Sequence, residues 1–203
     1  MGSQGLLIKP ADRLMQLLRE RPPGFGGIER VAQGLASARG GSVFHLRPRN
    51  ELEDPLPVGY ERRWLASLSL GRLFLPLPSV ALVELLISPR PLLVHLPCPT
   101  VFSLALLARF LRPNRLIRFY WHSFLAPRGG WTGCLEGFYQ WVALRVLRFF
   151  PILTTSPVLV QALQSEGIPS GRLSCLHCAL PKSSEDSYSS EWQRRSKSHV
   201  NRG

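Results

Sequence analysis

Residues Pro22-Pro23-Gly24-Phe25-Gly26-Gly27-Ile28-Glu29-Arg30-Val31 separate two apolar runs of different kinds. Before them stands the short run Leu14-Met15-Gln16-Leu17-Leu18; after them an amphipathic run extends from Ile28 to Ala38. That order reads as strand, glycine turn, helix. Gly26 and Gly27 let the backbone turn tightly and leave no Cβ in the way of a ligand. The helix they open turns its unpaired N–H groups and the positive end of its dipole into the turn, where an anion or a hydroxyl-rich ligand can sit. Glu29, in the first helical turn, suits that dipole. The complete G-x-G-x-x-G fingerprint is absent, so the same residues also fit a plain strand-to-helix turn with no ligand.

Outward from this turn the chain alternates strands and helices. Arg13 to Leu18 is the first strand, Ile28 to Arg39 a helix ended by Gly40-Gly41, and Ser42 to Leu46 a second strand. A proline- and charge-rich loop runs from Arg47 to Tyr60, followed by a strand over Arg63 to Leu68. Pro76 and Pro78 break the apolar run after Leu73, which predicts a loop and then a helix from Ser79 to Ile87. Strands are expected at Leu92–Leu96, Leu116–Trp121, Ile152–Thr154 and Leu173–Leu176. The helices between them are expected at Thr100–Leu111, Trp131–Phe149 and Pro157–Glu166. This order predicts an α/β fold: one Rossmann-like domain over 13–181, a parallel sheet of six or so strands with helices on both faces. Residues 1–12 read as a leader. Lys182 to Gly203, rich in serine and charge, reads as a disordered tail.

In such a sheet ligands bind beyond the carboxyl ends of the strands. Gly26 and Gly27 fall there after the first strand, Pro97 and Cys98 after Leu96, His122 and Ser123 after Trp121, and Thr155 and Ser156 after Thr154. His122 is the first candidate, because an imidazole can donate to or accept from a sugar hydroxyl or a phosphate oxygen. His95 lies within its strand and reads as a satisfied core histidine. The aromatic helix around Phe138, Tyr139 and Trp141, edged by Arg145 and Arg148, fits a core helix and also a surface lying on an anionic membrane.

Several segments resemble the N-terminal half of the family-4 retaining glycosyltransferases, two-domain enzymes of the GT-B fold. The P-P-x-x-G-G-[IV]-E turn at 22–29 is similar to that family's first strand-to-helix junction. Leu92-Leu93-Val94-His95-Leu96-Pro97 is similar to its fourth strand, and Phe119-Tyr120-Trp121-His122-Ser123 to its fifth strand and H-S-D loop. Ile152-Leu153-Thr154-Thr155-Ser156-Pro157 resembles its T-S-P turn, and Gly167-Ile168-Pro169 with Arg172 to Pro181 its closing segment. Phe124 stands where the family often has an acidic residue. The resemblance implies sugar transfer from a nucleotide-sugar to a hydroxyl acceptor, lipid-linked or saccharide. It implies His122 as the catalytic-site residue, with Gly26, Gly27, Ser123, Thr155 and Ser156 binding substrate. The donor-binding glutamate pair belongs to the second domain, so that domain, or a separate chain supplying it, is an expected partner and these residues alone are expected to be inactive. No metal or other cofactor is expected beyond the nucleotide-sugar co-substrate, since helix N-termini and basic side chains stabilise a leaving diphosphate. A non-catalytic module binding an anionic membrane or a partner protein is the other reading.

Composition narrows the classes further. The chain has 203 residues, 45% hydrophobic and 19% charged, enough for one well-cored domain. Its formal net charge of +12 comes almost wholly from arginine, since Lys9, Lys182 and Lys197 are its only lysines. That charge attracts phosphate-bearing surfaces. The arginines are spread along the chain without an RNA- or DNA-binding motif, which argues against nucleic acid and leaves anionic lipid. No secretory signal pattern is visible, and Pro91 to Ala108 splits into strand, turn and helix rather than one membrane span. A cytoplasmic location, peripheral at the inner face of the membrane, is expected. Cys175-Leu176-His177-Cys178 has C-x-x-C spacing, but Cys98 and Cys134 are isolated, so reduced thiols are expected rather than zinc.

Overall fold

A computed structural model describes residues 14–20, 27–48, 60–70, 73–126 and 128–176, with the side chains of 47 and 48 excepted. Gly26, the expected leader, the expected tail, and the His177 and Cys178 half of the C-x-x-C spacing lie outside the described residues. The elements begin with β1 (Met15–Leu18), α1 (Gly27–Arg39), β2 (Ser42–Pro48), β3 (Glu61–Leu70) and β4 (Leu73–Pro76). They continue with α2 (Val80–Ile87), β5 (Leu92–Leu96), α3 (Pro99–Leu111) and β6 (Ile117–Trp121). Last come α4 (Gly130–Leu147), β7 (Ile152–Thr154), α5 (Pro157–Ser165) and β8 (Leu173–Cys175).

The eight strands form one sheet in the order β4-β3-β2-β1-β5-β6-β7-β8. All pairings are parallel except β3 with β4, which is antiparallel. The sheet is therefore larger than the sequence implies, and not wholly parallel. The extra strand is Leu73–Pro76, expected as loop because of its prolines. It folds back along β3 with Ser69 opposite Phe74 and Ser67 opposite Pro76. As the edge strand, with Pro76 at its end, it forfeits no ladder bond that a central strand would need.

Local chemistry sets the element ends. The Ser79 and Ser156 hydroxyls accept hydrogen bonds from the backbone N–H groups of Leu82 and Leu159, capping α2 and α5. Pro99 and Pro157 occupy first-turn positions of α3 and α5, where their missing N–H is not needed. α1 stops at Gly40 and Gly41, with φ of 67° and 115°; a Cβ on Gly41 would collide with the Leu14 carbonyl oxygen.

The pleat divides the strands between two layers. Met15, Leu17, Val94, Phe119 and Trp121 point into the main core, which contains Leu85 of α2, Phe102 of α3, Leu144 of α4 and Leu163 of α5. Leu18 and Val43 point to the opposite face and pack on Ala32 and Ala36 of α1. Helices thus cover both faces, the doubly wound arrangement. β5 is buried at every position, as a central parallel strand should be.

Candidate functional site

β1 pairs with β2 on one side and β5 on the other, so the strand order reverses at β1. In open α/β sheets that switch point is where a crevice opens beyond the carboxyl ends. The registers set the candidate residues level with one another. Leu96 pairs with Trp121 and Trp121 with Thr154, so Pro97, His122 and Thr155 each stand one residue beyond the same row of the sheet. Ser123 is exposed, and Ser156 spends one lone pair capping α5. Gly27 opens α1. His122 is held by its backbone N–H, which donates to the Leu96 carbonyl oxygen.

A chain of hydrogen bonds runs inward from His122. Its Nε2 lies 2.9 Å from Nδ1 of His95. The other nitrogen of His95, Nε2, lies 2.9 Å from Oε1 of Gln16 in β1, and Gln16 Nε2 donates to the Ala32 carbonyl oxygen of α1 at 3.1 Å. The two imidazoles stack with centroids 5.2 Å apart, and Tyr120 packs on His122 at 4.3 Å. His95 is only 2% exposed while His122 is partly exposed. Burial, reinforced by the neighbouring His122, holds His95 well below its ordinary 6.5; burial alone brings His122 down to about 4. Both rings are neutral at pH 7, and they act through hydrogen bonds rather than charge.

The expected core role of His95 holds in that it is buried and satisfied, yet its partner is the leading candidate, His122. Gln16 was not singled out by the sequence at all. It sits in an apolar run, and a buried polar side chain there, bonded on both ends, is the signal that could have marked it. Glu29 is 7% exposed and its Oε2 has no hydrogen-bond partner among the described residues, so a buried acceptor stands in the first turn of α1. Phe124 packs edge-on against Trp121, with centroids 5.6 Å apart, at the margin of the core. Its side chain serves packing rather than the polar role of the family's acid.

Beyond the end of β5, Tyr139 of α4 accepts a hydrogen bond from the Cys98 N–H at 3.1 Å. Burial pushes both the Tyr139 hydroxyl and the Cys98 thiol above their ordinary values, so both stay protonated. Cys98 and Cys134 are free thiols, and no group of three or more His, Cys, Asp or Glu that could hold a metal occurs among the described residues. A cavity of about 250 Å³ lies further toward the amino ends of the strands, lined by Leu35 and Arg39 of α1, Leu93, Arg118 and Leu153. Leu93 and Arg118 stand two residues before His95 and Tyr120 in their strands, so the cavity shares their face of the sheet.

Fold and site together define a Rossmann-like α/β domain whose polar, uncharged cluster sits at the topological switch. No family model matches the chain, and no curated protein matches it. Among solved structures it is similar to Anabaena HepE, determined in complex with UDP and glucose. The TM-score is 0.52 and the identity 14%, over 82% of this chain and 44% of that one. The likeness is one of fold, and the chain spans less than half the length of that structure.

Proposed function

We propose that the chain is the acceptor-side half of a retaining GT-B glycosyltransferase of the family-4 type. The observation that carries the reading is the His122–His95–Gln16 cluster, neutral and hydrogen-bonding, at the carboxyl edge beside the strand-order reversal. Such a group suits a sugar or acceptor hydroxyl, and the fold likeness to a structure holding UDP and glucose supports the same ligand class. Gly26 and Gly27, Ser123, Thr155 and Ser156 complete the acceptor edge in this reading. The nucleotide-sugar is bound mainly by a second Rossmann domain, supplied from outside these 203 residues, with no metal in the transfer step.

Adding that domain gives the decisive experiment. The chain alone transfers no sugar; the same chain joined to a donor-binding domain with its glutamate pair, from the same or an adjacent reading frame, transfers it to a hydroxyl acceptor. Robust transfer by the isolated 203 residues would overturn the claim that half of the enzyme lies elsewhere.

A membrane-binding module is the second reading, favoured by α4. Trp131, Leu135, Phe138 and Trp141 are all exposed, and the Arg145 guanidinium lies 5.2 Å from the Trp141 ring centroid. The two readings join if the acceptor is lipid-linked. They part if vesicle binding survives while the reassembled protein transfers nothing.

A further inference from the structure

The bond chain behind His122 has a direction. The Ala32 carbonyl oxygen can only accept, so the Gln16 atom facing it at 3.1 Å is the amide nitrogen. That fixes the Gln16 oxygen toward Nε2 of His95 at 2.9 Å. An amide oxygen has no hydrogen to give, so His95 carries its hydrogen on Nε2. A neutral His95 then presents a bare Nδ1, and the His122 Nε2 facing it at 2.9 Å must donate. His122 is left with its lone pair on Nδ1, which accepts no hydrogen bond from any described residue, on a partly exposed ring.

We propose that Gln16 and His95 lock His122 in its Nε2–H form, so that its Nδ1 accepts a hydrogen bond from a ligand hydroxyl and rejects the oxygens of a diphosphate. The proposal rests on the reading that His122 lines the acceptor cleft, and it narrows what that cleft holds there. A diester or diphosphate oxygen without a hydrogen meets the bare Nδ1 lone pair to lone pair, whereas a sugar hydroxyl donates to it. Gln16 and His95 are positioning residues: neither touches the ligand, yet together they choose which ring nitrogen of His122 the ligand meets.

The test uses the full chain labelled with nitrogen-15 in histidine and long-range proton–nitrogen spectra at pH 7, which distinguish the two tautomers without any turnover. His95 and His122 are both expected as Nε2–H, with His122 at least about ten to one, the ratio given by a 1.4 kcal/mol preference. In Gln16→Leu, His95 is free to move its hydrogen to Nδ1, and the His122 ratio is expected to fall toward even; His95→Phe frees His122 directly. Methyl glucoside at saturating concentration should move the His122 Nδ1 resonance, and dimethyl phosphate at the same concentration should not. The lock is overturned if unmodified His122 is Nδ1–H or cationic, or if Gln16→Leu leaves its ratio unchanged. The ligand assignment is overturned if dimethyl phosphate moves Nδ1 as far as methyl glucoside does, or if methyl glucoside leaves it unmoved. Because the tautomers are read in the isolated chain, loss of sugar transfer after adding a donor domain would count against the glycosyltransferase reading and not against the lock.

Discussion

His122 folds into a place that disfavours its cation, and this ties stability to pH. Its folded pKa of about 4 lies below its ordinary 6.5, so between those values the unfolded chain binds more protons than the folded one. The contribution is whole above about pH 6.5 and is lost as pH falls toward 4. Allowing for the partial exposure of the ring, its size is on the order of 2 kcal/mol. His95, shifted the same way, adds to the loss. Denaturant unfolding at pH 7.5 and pH 5 should show a clear drop, and His122→Ala should shrink it. An equal midpoint at both pH values would mean that the imidazoles are more solvated than their burial implies. At pH 7.5 the same substitution leaves the buried His95 Nδ1 without a donor, which costs about 1–3 kcal/mol. The residue therefore contributes to stability, so any effect of its loss on the proposed sugar transfer must be measured per folded molecule.

At the level of elements, a few residue types made most boundaries readable. Prolines, capping serines and glycines stand at the expected ends: Ser79, Pro99, Ser156, Pro157 and Gly40 each act by a local backbone rule. β4 was hidden because its existence depends on β3 as a partner, and nothing in Leu73–Pro76 itself announces an edge strand. The site was half legible for the same reason. His122 and the loops at the strand ends follow from alternation alone. The bonds from His122 to His95, and from His95 to Gln16, span 27 and 79 residues and follow only from strand order. Two substitutions probe these elements. Gly41→Ala meets both a φ of 115° and the Leu14 carbonyl, and should destabilise by about 2–3 kcal/mol, read from the denaturation midpoint. Ser156→Ala should cost about 1 kcal/mol through the lost cap, whereas Ser156→Asp should keep the cap. If sugar transfer fell equally in both Ser156 variants, the residue would act on substrate beyond its capping of α5. Transfer that tracked stability alone would confine it to the cap.

For the molecule as a whole, the question is what a charge of +12 and an outward aromatic row do together. α4 answers the core-or-surface question unevenly along its length. Its last turns bury Ala143, Leu144 and Leu147 against the main core, while its first turns leave Trp131 78%, Phe138 63% and Trp141 54% exposed. Residues 131, 135, 138 and 141 recur at helical spacing on one side, the pattern of a face that lies along an interface. No helix among the described residues is long and apolar enough to cross a membrane. Long-range attraction should gather the chain at anionic lipid, and the aromatic side chains should hold it there. The first step weakens with salt, since screening acts over about 8 Å at physiological ionic strength. The chain should therefore sediment with vesicles containing anionic lipid, and release as salt rises. The double variant Trp131→Ser, Trp141→Ser should bind more weakly at low salt while keeping its stability, because both side chains lie mostly outside the core. Equal sedimentation with neutral and anionic vesicles would remove the electrostatic step. Unchanged binding by the double variant would remove α4 as the contact and leave the arginines to act from elsewhere on the surface.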